Sequence, residues 1–352
     1  MESHLNIQKG GDKLPEMINR QFKRKKRKSL SVADYVQAIL NGNIIVLSQA
    51  ITLVESNNSE HQKVAQQIVN ACLPHSGNSI RIGVTGTPGV GKSTFVEAMG
   101  EYVTNLGKRL AVLAIDPTSQ ISHGSILGDK TRMETLANNK NAFIRPSAAG
   151  DSLGGVARKT RETIILCEAA GYDVIFVETV GVGQSEVAVH SMVDFFLLLL
   201  LPGAGDELQG IKRGVVEMAD IIAINKADGD NLEKAKYSRS AYRNGLHMFP
   251  AKDSGWIAKS MTCSAIENTG IIEIWQSILQ YQQFTNKNEY FQNHRNNQAQ
   301  YWLNETIQNQ LKRRFENHPM IKAQLTTIKK EVQEGKITPF AGAALLMDLF
   351  LK

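Results

Sequence analysis

Residues 80–95, IRIGVTGTPGVGKSTF, constrain the fold more than any other stretch of this chain. They fit the pattern G-x-x-x-x-G-K-[ST], with Gly86, Gly91, Lys92 and Ser93 at the fixed positions. An apolar, β-rich run precedes the glycines and a helical pattern follows them. The spacing G-x-G-x-x-G of a dinucleotide-binding turn fits worse. The stretch therefore predicts a strand, a phosphate-binding loop and a helix in direct succession.

Each residue type in this loop has a physical role in holding a phosphate. Glycines let the backbone wrap closely around the anion and point N–H groups at it, and the N-terminus of the following helix adds a positive field. A lysine ammonium can reach the β- and γ-phosphates, and a serine hydroxyl can ligate Mg²⁺. The residues expected to surround the phosphates are Gly86, Gly89, Val90, Gly91, Lys92, Ser93 and Thr94.

Short apolar runs alternate with helical patterns from Ile80 onwards. The predicted strands are IRIGVT, RLAVLAID, DVIFVET, DFFLLLLL, DIIAINK and MTCSA. This alternation predicts an α/β fold of the P-loop NTPase type, with a mostly parallel sheet flanked by helices. Helical patterns also precede and follow the sheet. We expect a basic disordered tail at 1–28, an N-terminal helical segment at 29–78, the P-loop domain at 79–285 and a C-terminal helical arm at 286–352.

The positive charge of the chain is confined to its first residues. Residues 1–28 hold nine Lys and Arg against three acids, a balance of +6 that equals the net charge of the whole chain. A run of like charges is typical of a solvated tail. The remainder is neutral, which argues against a nucleic-acid partner.

Hydropathy and cysteine spacing indicate the kind of compartment in which the protein works. The longest apolar run, FFLLLLL at 195–201, is too short to cross a bilayer and fits a strand buried on both faces. The three cysteines lie far apart, which argues against disulfide and zinc frameworks. We expect reduced thiols, no membrane association and a cytoplasmic location, or the mitochondrial matrix if the chain is eukaryotic.

A second motif indicates which nucleotide the loop would bind. The sequence INKAD at 224–228 ends an apolar strand and contains the pattern N-K-x-D. The carboxylate of Asp228 can accept hydrogen bonds from both N–H donors of a guanine edge, which adenine does not offer, and such a site discriminates by about 10⁴-fold. With Asn225 and Lys226 it predicts GTP and GDP as ligands. Ser264 and Ala265, in CSA at 263–265, are expected to support the base.

Acidic strand ends near the loop predict the Mg²⁺ and γ-phosphate contacts. Glu178 ends the strand VIFVET, and the N–H of Gly181 can meet the γ-phosphate three residues later. Asp116 in AIDPTS and Asp129 in GSILGDKTRM are further metal candidates, and the pattern leaves open which carboxylate reaches the ion. Gln184 is a candidate for positioning the attacking water, although a polar residue at a helix start fits equally well. Lys212 and Arg132 are the cations expected to reach the transferred phosphoryl group when a partner orders the switch loops.

These motifs together resemble the MeaB/ArgK family of GTPases associated with methylmalonyl-CoA mutase. The resemblance covers about residues 30–350 and is carried by GTPGVGKST, DPTS, GSILGDKTRM, VETVGVGQSE, PGAGDELQGIKRGVVEMADI and NKAD. It implies a homodimeric, GTP-hydrolysing chaperone that gates adenosylcobalamin loading and protects or reactivates an adenosylcobalamin-dependent acyl-CoA mutase. The glutamate at position 178, where most GTPases have aspartate, matches the family.

The resemblance also implies roles for individual residues. Lys92 and Ser93 are the phosphate and Mg²⁺ residues, and the guanine-reading motif keeps its assignment. The segment 203–212 matches an additional switch loop of the family, with Lys212 at its end. Metal and switch residues implied by the match are Asp116, Asp129 and Glu178. The sequence QISHG at 120–124 departs from the family pattern, and the basic tail lies outside it.

Two other functions share this architecture. A metal-insertion GTPase would usually carry a His-rich or Cys-rich segment, and none is visible in the sequence. A transport-linked kinase needs an acceptor site and a base that no motif here identifies. We expect the homodimer to use the C-terminal arm, where an apolar stripe has helical spacing and Thr338 with Pro339 is typical of a helix start. The stripe consists of Leu303, Ile307, Leu311 and Phe315.

Overall fold

A computed structural model describes residues 30–115, 133–147, 153–179, 185–203 and 213–351. These residues form a seven-stranded sheet in which every neighbouring pair of strands is parallel. The order across the sheet is β3-β2-β4-β1-β5-β6-β7. The strands are β1 Ile80–Gly86, β2 Leu110–Ile115, β3 Ala142–Ser147, β4 Val174–Thr179, β5 Phe195–Leu200, β6 Ile221–Ile224 and β7 Lys259–Thr262. The predicted P-loop α/β fold is confirmed.

The helices cover both faces of the sheet and both ends of the chain. Their bounds are α1 Val32–Leu40, α2 Ile44–Glu55, α3 Ser59–Cys72, α4 Lys92–Asn105, α5 Glu134–Ala137, α6 Leu153–Ala169, α7 Ser185–His190, α8 Arg213–Met218, α9 Leu232–Leu246, α10 Ile271–Lys287, α11 Tyr290–Asn317, α12 Pro319–Gln333 and α13 Pro339–Phe350. The described helices are not long and apolar enough to cross a membrane. All three cysteines are buried, free thiols.

Strand β3 was not among the predicted strands. Its sequence, AFIRPS, carries a proline and an arginine in six residues, so it lacks the apolar continuity of a central strand. It lies at the outer edge of the described sheet, where β2 is its one neighbouring strand. Proline is tolerated at an edge because one side of the strand has no ladder to complete.

The N-terminal helices are built by local capping and share a core with the sheet. Helix α1 begins with a capping box between Ser31 and Asp34, and Asn43 and Asn58 cap α2 and α3. Apolar residues of these helices pack in one buried cluster with α6 and one face of the sheet. A second cluster, built by α4 and α10, covers the opposite face. The division into four segments stays a prediction, and the tail at 1–28 lies outside the described residues.

Three aspartates stand one residue before a strand and accept a backbone hydrogen bond at or just before the start of the neighbouring strand. Asp173 precedes β4, Asp194 precedes β5 and Asp220 precedes β6. Their side chains accept hydrogen bonds from the backbone N–H groups of Arg109, Arg81 and Phe196 at 2.7, 2.8 and 2.9 Å. Each bond fixes the first rung between adjacent strands at the amino edge of the sheet.

Buried ion pairs complete the amino edge. Arg295 of α11 donates from Nε and Nη2 to the two carboxylate oxygens of Asp194, at 2.7 and 2.6 Å, and also to the carbonyls of Gly77 and Ser79. Arg81 makes a similar two-bond pair with Glu168 of α6, both at 2.9 Å. The start of the C-terminal arm is thereby held to the sheet by charge-assisted hydrogen bonds.

Further along, the arm has its own small core. Ile321, Ile328 and Leu346 of α12 and α13 are buried together, with Phe315 and Phe350 packed against them. The side chain of Thr338 accepts from the N–H of Ala341, with Pro339 in the first turn of α13. The predicted helix start at Thr338 is therefore confirmed.

Candidate functional site

The predicted phosphate loop connects the carboxyl end of β1 to the first residue of α4. Gly89 and Gly91 have backbone φ angles of 78° and 93°, which favour glycine. A Cβ on Gly86 would lie 2.4 Å from the carbonyl oxygen of Leu199, and one on Gly91 would lie 2.9 Å from Nδ2 of Asn225. Any other residue at these two positions would push the loop away from its neighbours.

Lys92 folds back over this loop. Its Nζ donates to the carbonyl oxygens of Gly86 at 2.8 Å and Thr87 at 3.2 Å, and the side chain is buried. Burial lowers the pKa of the Lys92 ammonium, while the negative charges of Glu178 and Glu186 oppose that shift. The site therefore presents a buried cation whose hydrogen bonds go to neutral carbonyl groups, and such a cation attracts a phosphate.

Ser93 and Glu178 meet beside the lysine. The Ser93 hydroxyl donates to Oε1 of Glu178 at 3.1 Å, and Glu178 is buried near the end of β4. Strands β4 and β1 pair in a register that sets Val84 opposite Glu178. Two oxygen groups at the start of α4 suit Mg²⁺, which usually takes one or two carboxylates together with phosphate oxygens and water. The described residues contain no group of three or more His, Cys, Asp or Glu that could hold a metal.

Asn225 joins the phosphate loop to the loop that follows β7. Its Nδ2 donates to the carbonyl of Val90 at 2.8 Å, and its Oδ1 accepts from the N–H of Ala265 at 3.2 Å. The thiol of Cys263 lies 3.6 Å from the same oxygen. Asn225 is buried. One Nδ2 hydrogen bond and the Oδ1 acceptor of Asn225 thus link the two loops and set the spacing between them.

Asp228 stands at the outer side of this arrangement and is half-buried. Its Oδ2 accepts from the hydroxyl of Ser264, which also accepts from the N–H of Glu267. Lys226 has a φ of 58°, unusual for a residue other than glycine, and its Cε lies 4.0 Å from the Cβ position of Gly91. The carboxylate of Asp228 is oriented by Ser264 and the stem of Lys226 runs beside the phosphate loop.

The structure thus brings one set of predicted residues together at the carboxyl edge of the sheet. That set comprises Gly86, Gly89, Val90, Gly91, Lys92, Ser93, Thr94, Glu178, Asn225, Lys226, Asp228, Ser264 and Ala265. A second set lies outside the described residues and stays predicted from sequence. These are Asp116, Asp129, Arg132, Gly181, Gln184 and Lys212.

Sequence reasoning missed one residue of the site. Glu186, in the first turn of α7, is buried and its charge acts on Lys92. A glutamate at a helix start is usually attributed to the helix dipole, so the pattern gave it no further role. Its signal was its position eight residues after Glu178, within the motif VETVGVGQSE.

A phosphate loop at the end of the first strand, a buried lysine beside a half-buried serine, and an N-K-x-D motif directly after β6 are features of the P-loop GTPases. A sequence model of one family of this class, "Methylmalonyl Co-A mutase-associated GTPase MeaB", matches residues 47–320. The chain belongs to this MeaB family, and it is a guanine-nucleotide-binding GTPase.

Two relatives and a solved structure are similar to this chain over most of its length. "GTPase ArgK" of Escherichia coli strain K12 is 47% identical over 273 residues, covering 78% of this chain and 82% of the relative. "Methylmalonic aciduria type A homolog, mitochondrial" of Mus musculus is 42% identical, covering 89% and 78%. A crystal structure of "LAO/AO transport system kinase" is 36% identical with a TM-score of 0.74, covering 91% and 98%.

Proposed function

We propose that this GTPase is a chaperone of an adenosylcobalamin-dependent acyl-CoA mutase such as methylmalonyl-CoA mutase. It gates loading of the cofactor and protects or reactivates the mutase. The observation that carries the proposal is the family match, whose description names this mutase as the associated enzyme. The name of the mouse relative, which refers to methylmalonic aciduria, points to the same metabolism.

In this proposal the phosphate side of the site works through its buried cation and oxygen pair. Lys92 exchanges its carbonyl partners for the β- and γ-phosphates, and the N–H groups of the loop surround the same anion. Ser93 and Glu178 would hold Mg²⁺, and the bound ion would neutralise charge on the phosphates. Asp116, Asp129 and Gly181 are assigned by sequence to the metal and switch region.

The guanine side works through Asp228. Ser264 holds one carboxylate oxygen by hydrogen bonding, while the two N–H donors of guanine bind the carboxylate from the solvent side. Lys226 and Ala265 flank the base. Calorimetry with GTP, GDP and ATP tests this assignment, and we expect ATP to bind at least about 10⁴-fold more weakly. Comparable affinity for ATP would contradict it.

Asp228→Asn separates recognition of the base from recognition of the phosphates. The amide keeps the size of the carboxylate but presents a donor to a guanine edge that also donates. We expect GTP affinity to fall about 10²-fold or more while binding of inorganic triphosphate is retained. Asp230→Asn is the matched control, because Asp230 is exposed two residues away and outside the site. Equal losses of GTP affinity in the two variants would contradict the role of Asp228.

Hydrolysis is proposed to depend on the partner. Charge on the transferred phosphoryl group is stabilised by positioned cations, and a partner protein can supply or order them. Lys212 and Arg132 are the cations assigned to this role, and Gln184 is assigned to positioning the water. We therefore expect slow turnover alone and a large acceleration by the mutase.

Turnover of GTP with and without purified methylmalonyl-CoA mutase tests the partner. Lys212→Ala should lose the acceleration while keeping GTP affinity, and Lys234→Ala on the exposed surface of α9 should keep both. Binding of GTP must also change the affinity for the mutase, because coupling between two ligands is reciprocal. Equal rates with and without every B12-dependent acyl-CoA mutase would contradict the proposed partner but not the GTPase activity.

The homodimer is proposed to form through the C-terminal arm. Leu303, Ile307 and Leu311 lie on one face of α11 and are 61%, 47% and 54% exposed. Phe315, the fourth residue of the predicted stripe, instead packs 5.3 Å from the ring of Phe350 within the arm. A row of exposed apolar side chains at helical spacing favours burial against a second copy.

Light scattering tests this interface. Ile307→Asp combined with Leu311→Asp should yield a monomer. Gln308→Asp changes an exposed polar residue that is not part of the apolar stripe, and it should leave the mass unchanged. A dimer that survives the double substitution would place the interface elsewhere. For location we propose the cytoplasm, or the mitochondrial matrix if the chain is eukaryotic, as the name of the mouse relative indicates for that protein.

A further inference from the structure

Strand β7 forms the edge of the sheet opposite β3, and among the described strands it pairs only with β6. A groove of about 480 Å³ runs along this edge between helices α9 and α10. We call it the β7 groove and define it by six of its lining residues: Arg239, Arg243, Lys259, Ser260, Glu273 and Ser277. It lies away from the nucleotide-binding residues, none of which lines it.

The backbone of β7 presents to this groove N–H and C=O groups that bond to no other backbone group in the described part of the chain. The N–H of Lys259 donates to the carbonyl of Asp220, and the N–H of Cys263 donates to the carbonyl of Ile224. Residues of a strand turn their N–H and C=O groups alternately to its two sides. Ser260 is out of phase with these two residues, so its N–H and C=O point away from β6 and toward the open edge.

Two buried hydroxyl groups in the groove also lack partners. Ser260 Oγ and Ser277 Oγ make no hydrogen bond with any described residue, although the residues are only 8% and 3% exposed. Buried hydroxyls are normally hydrogen-bonded, because leaving one unpaired costs about 1–3 kcal/mol. Both oxygens are themselves almost fully enclosed, so a ligand in the groove would meet the outward backbone groups of Ser260 and the charged side chains of the groove instead of these hydroxyls.

Positive charge surrounds these hydroxyls. Arg239 and Arg243 lie one turn apart on the groove side of α9, are exposed, and form no ion pair with the described residues. The Nζ of Lys259 lies 2.9 Å from Oε1 of Gln280 and 4.7 Å from the ring centre of Trp256. Lys259 is thus held along α10 instead of covering the strand edge. Glu273 is the single acid lining the groove.

We propose that the β7 groove binds an extended acidic segment of another protein, which adds to the sheet as a further strand. Main-chain hydrogen bonds to Ser260 would supply affinity, as in other cases of strand addition, and carboxylates of the segment would pair with Arg239 and Arg243. The basic tail at 1–28 is excluded as the occupant, because its nine cations would face the cations of the groove. This inference does not rest on the proposed mutase partner.

Fluorescence anisotropy of the full-length protein with a labelled peptide tests whether the groove prefers an acidic segment. The probe is an eight-residue peptide of alternating glutamate and valine, compared with one of alternating lysine and valine. We expect only the acidic peptide to bind, with an affinity that falls as salt rises. Arg239→Glu combined with Arg243→Glu should weaken it by at least about tenfold.

The matched control carries the same change of charge elsewhere. Lys140→Glu combined with Lys234→Glu alters two exposed lysines that do not line the groove, and we expect unchanged peptide affinity. GTP affinity serves as the measure of folding in all variants. Equal affinities of the wild type and the Arg239/Arg243 variant for the acidic peptide, or no binding of this peptide to the wild type, would overturn the proposal.

Backbone pairing is tested from both partners. Ser260→Pro removes the outward N–H without touching the ladder to β6, and proline is tolerated at such edge positions. We expect it to reduce peptide binding at least about tenfold, and the same acidic peptide with methylated backbone nitrogens should bind equally poorly to the wild type. Retained binding of the methylated peptide would overturn strand addition. The proposal would also be overturned if the wild type were a dimer and the Ser260→Pro variant a monomer, because the groove would then bind a second copy of the chain.

Discussion

At the amino ends of the strands, buried charges face buried opposite charges, whereas at the carboxyl ends Lys92 donates its hydrogen bonds to neutral carbonyls. Arg295 pairs with Asp194, and Arg81 pairs with Glu168. These two pairs are complete within the chain, so they hold elements together. Lys92 is stabilised less well by its protein partners, so it keeps the capacity to bind an anion.

The same contrast holds for backbone geometry. Lys226 adopts a left-handed angle at the carboxyl edge although it is not a glycine, whereas the left-handed residues in the turns before β1, β2 and β4 are the glycines Gly77, Gly107 and Gly171. A residue other than glycine in this region is disfavoured by about 1–3 kcal/mol and persists where surrounding contacts hold it. One edge of the sheet is optimised for stability and the other for a ligand. The following predictions test that division.

The largest effect is expected on stability when an ion pair of the amino edge is broken. Arg295→Ala leaves the buried carboxylate of Asp194 without its counter-charge and should lower the free energy of unfolding by about 3–5 kcal/mol. Urea titration measures it, with Arg314→Ala on the exposed face of α11 as the control. Arg295→Met combined with Asp194→Asn should recover part of the loss. Equal midpoints of Arg295→Ala and the control would refute the structural role.

The next effect is expected on catalysis and not on stability. Lys92→Ala removes the cation at the phosphate loop and should lower GTP turnover by about 10²–10³-fold. Its thermal midpoint without nucleotide should change little, because relief from burying the ammonium offsets the lost attraction between Lys92 and the buried Glu178 and Glu186. Lys140→Ala, an exposed change, should alter neither quantity. A variant that keeps its turnover would show that the loop does not serve hydrolysis.

A third effect depends on pH. Burial lowers the pKa of His190 to about 4, against about 6.5 in an unfolded chain. Between about pH 6.5 and pH 4, the unfolded chain therefore binds a proton at His190 that the folded protein does not bind. The stability contributed by neutral His190 is complete above about pH 6.5 and is lost as pH falls toward 4. Between pH 7.5 and 4.5 we expect this residue to account for about 2 kcal/mol.

Urea titrations of the wild type and His190→Asn at the two pH values measure this contribution. The asparagine variant should lose about 2 kcal/mol less on acidification, because it has no imidazole to protonate. Other acidic groups titrate in both proteins and cancel in the difference. Identical losses would mean that His190 is as easily protonated in the folded protein as in the unfolded chain.

The smallest effect is expected at the exposed end of the aspartate series. Asp173→Ala removes the acceptor of the Arg109 N–H at 2.7 Å, but the residue is exposed and water can replace it. We expect a loss of about 1 kcal/mol or less in thermal unfolding, with Asp230→Ala as an unbonded control. If Asp173→Ala lowered the stability as much as Arg295→Ala, solvent exposure would not determine how much these contacts stabilise the fold.

The positions of motif residues in the site could be predicted from sequence, because their function requires a fixed spacing along the chain. Gly86, Gly91 and Lys92 had to be adjacent to a strand and a helix, and they are. The guanine motif could likewise be placed at a strand end. The pattern could not show that Asn225 bonds to the carbonyl of Val90, since such a contact depends on how two distant loops pack.

Other features were hidden because their residues are ordinary for their surroundings. Arg295 lies in a polar helix, where an arginine is typical of a solvated face, yet it is buried against Asp194. Glu186 was hidden in the same way at a helix start. Strand β3 was missed because Pro146 interrupts its apolar pattern, and only the order of the sheet shows that an edge position tolerates it.

The aspartates before the strands fix the register between neighbouring strands, which the apolar strand sequences do not specify. Strand β5 reads FFLLLL and is buried on both faces, so a slip by one residue would exchange one leucine for another with little change in buried area. Apolar runs of this kind carry no information about register. Asp194 and Asp220 supply it, because a slipped strand would leave a carboxylate and an N–H without each other. Correct alignment of the central sheet is thus specified by polar residues that belong to no strand.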